Sequence, residues 1–313
     1  MPITIQPYRN ASETVLDQSR RDFLRKMFVA GMGAFCAPRA FAGINAEEVV
    51  VDPHSWALFA DTHVAEDLSL RALGVNMAET FQQAVGEVVG MATRPGGVLI
   101  NGDCAFRTGR PGDYVALTRL LEPLRNHGVP VHLTLGNHDD RSHFRAALPS
   151  GECSSALGDR HARVIETERA NWILADSSTT PIGEGRLGPE QLAWMQEVLD
   201  AAPDKPAIIY AHHNPQDGYT EWSLEDTEDF FAMVAPRPQV KAYVFGHSHR
   251  WSIDQHESGM YLINLPSTAY VFEQEEPSGW VNATLLENGI HLELRCTDRT
   301  HPKHGERIEL QWR

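Results

Sequence analysis

Five short apolar runs in this chain each end in histidine, aspartate or asparagine. That recurrence limits the folds open to its 313 residues more than any other feature. Residues 56–60 lead into Asp61-Thr62-His63, and residues 98–101 into Gly102-Asp103. Residues 131–135 are followed by Gly136-Asn137-His138-Asp139, residues 207–211 by His212-His213, and residues 240–245 by Gly246-His247-Ser248-His249. Two further runs, 172–175 and 261–265, have no such motif, and Asp176 after the first stands alone. The runs are short and several are rich in β-branched residues, which marks buried strands. Between them, apolar residues recur at helical spacing over 78–91, 114–124 and 189–199. Strands alternating with helices predict an α/β fold built on layered sheets. After residue 261 the helical patterns stop, and residues 280–286 and 290–294 flank Glu287-Asn288-Gly289, a hairpin signal.

In open α/β sheets, ligands bind beyond the carboxyl ends of the strands. Five such ends would therefore send these polar groups into one crevice, although the sequence separates them. Six of the 15 histidines fall in the five segments, a clustering that packing alone does not explain. Carboxylate, imidazole and amide oxygen together suit Zn, Mn, Fe or Co, whereas Ca or Mg would draw on oxygen ligands. One ion seldom needs seven protein ligands. Two ions sharing a carboxylate would use them all, and pairs about 3.5–4 Å apart are the usual device for in-line displacement at phosphorus.

Charge narrows the partners. With 27 Lys+Arg against 42 Asp+Glu the formal net charge is −15, so the basic stripe that duplex nucleic acid requires is missing. No stretch reaches the roughly 18 apolar residues of a membrane span. The N-terminus reads as a cleavable leader: Ser19-Arg20-Arg21-Asp22-Phe23-Leu24-Arg25-Lys26, an uncharged run over 27–37, then Ala40-Phe41-Ala42. This order resembles the twin-arginine export signal, which implies a twin-arginine translocase as partner during export and a periplasmic or extracellular destination. Cleavage after Ala42 would leave 43–313 as the catalytic domain and move the formal charge from −15 to −18, since 1–42 hold six basic and three acidic side chains. Cys104, Cys153 and Cys296 would remain. Their spacing implies neither a disulfide framework nor a metal site, and leaves open whether any two pair.

Asp-x-His, Gly-Asp, Gly-Asn-His-Asp, a histidine after a strand and Gly-His-x-His, in this order over about residues 56–272, resemble the calcineurin-like metallophosphoesterases. The run 102–141 is most similar to the bacterial branch of class III cyclic-nucleotide phosphodiesterases and glycerophosphodiesterases. The resemblance implies a four-layer α/β/β/α sandwich of two mixed sheets flanked by helices, holding two divalent cations. It assigns Asp61, His63 and His249 to one ion, Asn137, His212 and His247 to the other, and Asp103 as the bridge. An anionic bridge between two dications is what electrostatics requires, and bound water whose pKa falls to about 7 would supply a bridging hydroxide as nucleophile. His138 is implied as the group that protonates the leaving oxygen, with Asp139 orienting it.

Other residues near the motifs read less sharply. His213 is expected to support a ligand or simply to pack. Arg107, Arg141 and His143 divide between phosphate contact and plain surface solvation. Two departures narrow the family. Phe106 stands where purple acid phosphatases have a tyrosine ligand, and Gly-Asn-His-Asp replaces the Gly-Asn-His-Glu of protein phosphatases. The expected activity is hydrolysis of a small phosphate ester, with diesters first. The alternatives are a phosphomonoesterase or nucleotidase, or a non-catalytic periplasmic metal- or phosphate-binding protein. A loop over 216–229, with Tyr219 and Trp222, is expected to line the substrate cleft.

Overall fold

Along the run that ends at Ala60, successive side chains enter different cores: Trp56, Leu58 and Ala60 join one buried cluster, Ala57 and Phe59 another. This is the two-residue period of a strand buried on both faces, and it places the run between two layers. The computed structural model describes residues 49–179, 183–216 and 222–313. The leader expected over 1–42 lies outside the described residues.

Two six-stranded sheets form the centre, with strands numbered in chain order. The first runs Arg307–Gln311 (β14), Gly289–Cys296 (β13), Gly279–Leu286 (β12), Val50–Ala60 (β1), Thr93–Asn101 (β4), Val131–Leu133 (β5). In it β1, β4 and β5 are mutually parallel and the C-terminal strands antiparallel. The second runs Ser252–Gln255 (β10), Tyr261–Asn264 (β11), Val240–Phe245 (β9), Ala207–Tyr210 (β8), Asn171–Leu174 (β7), Arg163–Glu166 (β6). Its four inner strands are parallel and its two edge strands antiparallel. Arg71–Ala72 (β2) and Val75–Asn76 (β3) make a separate small hairpin.

Helices Met77–Val89 (α1), Pro111–Asn126 (α2) and Arg141–Ala147 (α3) cover the first sheet; Gly188–Ala201 (α4) and Thr227–Val234 (α5) cover the second. The chemistry of α1 explains its extent. The Asn76 side chain accepts from the Glu79 amide at 3.1 Å, Phe81, Ala84, Val85 and Val88 form the buried stripe, and Gly90 follows the last turn. Between the sheets, Trp56, Leu58, Leu99, Trp172, Leu174, Ile208, Tyr210 and Val244 make an apolar interface. Burying each such side chain contributes about 2 kcal/mol, which fixes how the sheets dock and therefore how far apart their strand ends lie. The result is the four-layer α/β/β/α sandwich that the family resemblance implied.

The expected hairpin is present, with Leu286 opposite Gly289 across a two-residue loop. Strands β6, β10 and β14 carried no apolar run and sit at sheet edges with mostly half-buried or exposed residues, so composition concealed them. The run 131–135 leaves strand geometry after Leu133. Cys104, Cys153 and Cys296 are all free thiols. Among the described residues, no helix is long and apolar enough to cross a membrane.

Candidate metal centre

The carboxyl ends of β1, β4, β5, β8 and β9 open onto one location, and the five motif segments meet there. The β1 and β4 loops remain paired beyond their strands: the His63 amide donates to Asp103 O at 2.9 Å and the Val64 amide to Cys104 O at 3.0 Å. Asp61, His63, Asp103, His247 and His249 have φ of 52°, 44°, 44°, 67° and 56°. Left-handed backbone at non-glycine residues costs roughly 1–3 kcal/mol each and gathers at functional sites. Glycines allow close approach: a Cβ on Gly246 would lie 2.5 Å from Asp61 Oδ2, and one on Gly136 would lie 2.2 Å from Asp103 Oδ1.

Three groups of side chains present ligand atoms within 4.8 Å of one another: Asp61, His63 and His249; Asp103, His212 and His247; and His63, Asp103 and His138. Asp103 belongs to the last two and faces His63 of the first. Its Oδ2 is 3.3 Å from His212 Nε2, 3.7 Å from His63 Nε2 and 3.9 Å from His138 Nε2, while its Oδ1 accepts the His138 amide at 2.9 Å. Asp61 Oδ1 lies 3.4 Å from His249 Nε2. Carbonyls set the tautomers of two of these imidazoles: His212 Nδ1–H donates to Asn101 O at 3.0 Å and His249 Nδ1–H to Tyr270 O at 2.6 Å, which turns each Nε2 toward the cluster. Asn137 Oδ1 and His212 Nε2 are buried and accept no hydrogen bond, as expected of atoms kept for an electrophile. The donor set therefore fits a pair of divalent cations.

Electrostatics agree. Burial would raise both carboxyls, yet His212 and His138 hold Asp103 well below the usual carboxylate range, and His249 and His212 hold Asp61 low. Burial pushes His63 down to about 3, against the pull of Asp103, and pushes His247 down to about 4, so both keep free lone pairs. Burial would also lower His212, but Asp103 and Asp61 hold it up at about 9. To hold a cation, its imidazole would have to release a proton.

His138 is held, but not by Asp139. Its Nδ1–H donates to Arg107 O at 2.6 Å. The Asp139 carboxylate is occupied instead by the amides of Cys104, Ala105 and Gly136 and by the Tyr114 hydroxyl, each at 3.0 Å. Burial, with Asp103 nearby, pushes it up to about 6. Asp139 thus staples the loop carrying Asp103 to the loop carrying Asn137, and the expectation that it orients His138 is corrected. Arg141 binds the buried Asp176 through Nε at 2.6 Å and Nη2 at 3.0 Å, so its guanidinium is committed to that carboxylate. His143 Nδ1 meets Gly109 O at 2.8 Å. The Arg107 guanidinium lies over the Phe106 ring, 5.4 Å from its centroid. His213 is fully buried, with Nδ1 2.7 Å from Ser177 Oγ and its ring 4.9 Å from that of His247.

A cleft of about 330 Å³ opens over the centre, reached by His63, Asp103, Asn137, His138, His247 and His249. Its wall carries Trp222, as the loop reading expected; Tyr219 lies outside the described residues. It also carries Tyr270 and Phe272, which the sequence reading did not single out. The one available signal was their place just after β11, in line with the other strand ends.

The family described as calcineurin-like phosphoesterase matches residues 56–251, and the chain belongs to it. The family depends on divalent metal, in accord with the clustered Asp and His side chains. Over 262 residues the chain is 28% identical to a 3',5'-cyclic-nucleotide phosphodiesterase of Nostoc sp., covering 82% of this chain and 93% of the relative. It is 28% identical over 194 residues to the glycerophosphodiester phosphodiesterase GpdQ of Enterobacter lignolyticus, covering 59% and 67%. Among solved structures, a dimetal phosphatase from Danio rerio superposes with a TM-score of 0.67 at 17% identity, over 84% of this chain and 100% of that one, a likeness of fold.

Proposed function

We propose that residues 43–313 form a binuclear metal-dependent phosphodiesterase, acting on cyclic-nucleotide or glycerophosphodiester-like substrates. The observation that carries this reading is the position of Asp103 Oδ2, facing imidazoles of both ligand groups at 3.3 and 3.7 Å. Asp61, His63 and His249 would hold one cation and Asn137, His212 and His247 the other, with Asp103 shared. When bound, the cations supply positive charge for the phosphoryl oxygens and a nucleophile from acidified water. The chain's own residues do the rest. Left-handed backbone and the Asp139 staple hold the ligands in place. His138, fixed through Nδ1 and lining the cleft, gives a proton from Nε2 to the departing oxygen.

The preference for diesters draws on the names of the relatives and on the cleft of about 330 Å³ that extends from the Asp and His cluster to Trp222 and Phe272. Purified 43–313 is expected to carry two equivalents of Zn, Mn, Fe or Co and to hydrolyse bis-(p-nitrophenyl) phosphate faster than p-nitrophenyl phosphate, with Asp103→Ala inactive on both. Cleavage of the monoester alone would favour a phosphomonoesterase or nucleotidase, and cleavage of neither with metal present a binding protein. We also read 1–42 as a twin-arginine leader, so that the folded protein is exported. Replacing Arg20 and Arg21 with Lys is expected to retain the precursor inside the cell, and unchanged export would reject that reading.

A further inference from the structure

Exposed aromatic side chains are costly, and here they are concentrated in one place. The exposed large hydrophobic side chains among the described residues are four valines, Leu73, Trp222 and Phe272; the two aromatic ones both line the cleft over the metal centre. Phe272 is 65% exposed. One of its faces is used: it stacks on the ligand His249, with centroids 4.5 Å apart and planes at 26°. Tyr270 stands edge-on behind it at 5.9 Å and itself stacks on His63 at 5.1 Å and 23°. The ring is therefore braced from the protein side while its other face looks outward. Trp222 is 42% exposed and has a φ of 67°, a left-handed conformation that side chains of its size seldom adopt. Arg250 and Glu273 pair with each other at the same cleft, so the polar side chains beside Phe272 already have partners.

We infer that Phe272, aided by Trp222, is the specificity determinant for the substituent a phosphodiester carries away from the centre, and that it selects a planar aromatic base by stacking. The inference rests on the diesterase reading and deepens it. A phosphate seated among the ligands must direct its second substituent along this wall. A flat π-system covers the free face of a braced ring well, whereas a short polyol would leave that face in water and find few unpaired polar groups. A rival role for the same ring is to steady His249 alone.

Two esters with the same leaving group separate these roles: thymidine 5'-(p-nitrophenyl phosphate) and methyl p-nitrophenyl phosphate. The wild type is expected to favour the thymidine ester by about tenfold or more in kcat/KM, mainly through KM. In Phe272→Ala the loss on the thymidine ester should exceed the loss on the methyl ester by about tenfold, and Phe272→Tyr should restore the preference. Equal losses on both esters, or no preference in the wild type, would overturn the inference. A binding measurement stands apart from turnover: the metal-loaded wild type should bind adenosine 5'-monophosphate more tightly than ribose 5-phosphate, and Phe272→Ala should bind the two alike. If neither ester is cleaved, the diesterase reading fails while this comparison still decides the role of Phe272. Circular dichroism of the two variants checks that they fold.

Discussion

The two sheets bring different chemistry to the same centre. The first supplies Asp61, His63, Asp103 and Asn137, including both carboxylates; the second supplies His212, His247 and His249, imidazoles only. Two of the three groups cross between the sheets, while His63, Asp103 and His138 all come from the first. Asp61, His63 and His249 take two members from the first sheet and one from the second, whereas Asp103, His212 and His247 take one and two. The centre is thus a product of sheet docking, with both carboxylates placed by the first sheet and three of the imidazoles by the second.

The largest expected effect tests the shared position. Asp103→Ala removes the carboxylate that faces both His63 and His212, and bound metal is expected to fall from two equivalents to nearly none, with activity down by about 1,000-fold or more. His249→Ala, on the second sheet, leaves the Asp103 group whole and is expected to retain one equivalent. Elemental analysis of the purified variants distinguishes the two, and equal losses would mean the sheets are not complementary in this way. Next in size is Gly246→Ala, whose Cβ would lie 2.5 Å from Asp61 Oδ2. It should displace a first-sheet carboxylate from the second sheet and weaken metal binding by about 10- to 100-fold, the range seen when support for a ligand is lost, as measured by chelator competition.

Acid probes the packing instead of the ligands. Burial pushes His132, on β5 beside Trp56, down to about 4, and does the same to His161. Both are neutral in the fold and take up protons more readily when unfolded. Their contribution is therefore complete above about pH 6.5 and declines as pH falls towards about 4. Thermal melts should show Tm dropping by about 3 °C or more per site across that interval, and His132→Gln should flatten the slope. The smallest effect belongs to Tyr210, whose hydroxyl on β8 lies 3.2 Å from Phe59 O and 3.3 Å from Leu99 O of the first sheet. Tyr210→Phe should cost about 1 kcal/mol in denaturant unfolding and leave metal content unchanged.

The clustering of these Asp and His side chains was legible because each is a distinctive residue type at the end of a buried apolar run, and an α/β sheet forces such ends together. What stayed hidden acts through the main chain or through apolar surface. No residue type announces that the Arg107 carbonyl will receive His138, nor that three backbone amides will occupy Asp139. Phe272 looked like any aromatic in a loop until the fold set it against His249. Arg141 stood near a motif and Asp176 after a run without one, and only their mutual geometry reveals a structural pair. The edge strands β6, β10 and β14 were unreadable because a strand with one neighbour and half-buried faces needs no continuous apolar run.

The left-handed bends at Asp61, His63, Asp103, His247 and His249 have a consequence for selectivity. The three loops are held in these bends by hydrogen bonds, among them His63 N–H to Asp103 O and Ser248 N–H to Gly246 O, which leaves the receptacle little freedom to expand. Discrimination among cations by ionic radius is then expected to follow from loop curvature, before ligand chemistry is considered.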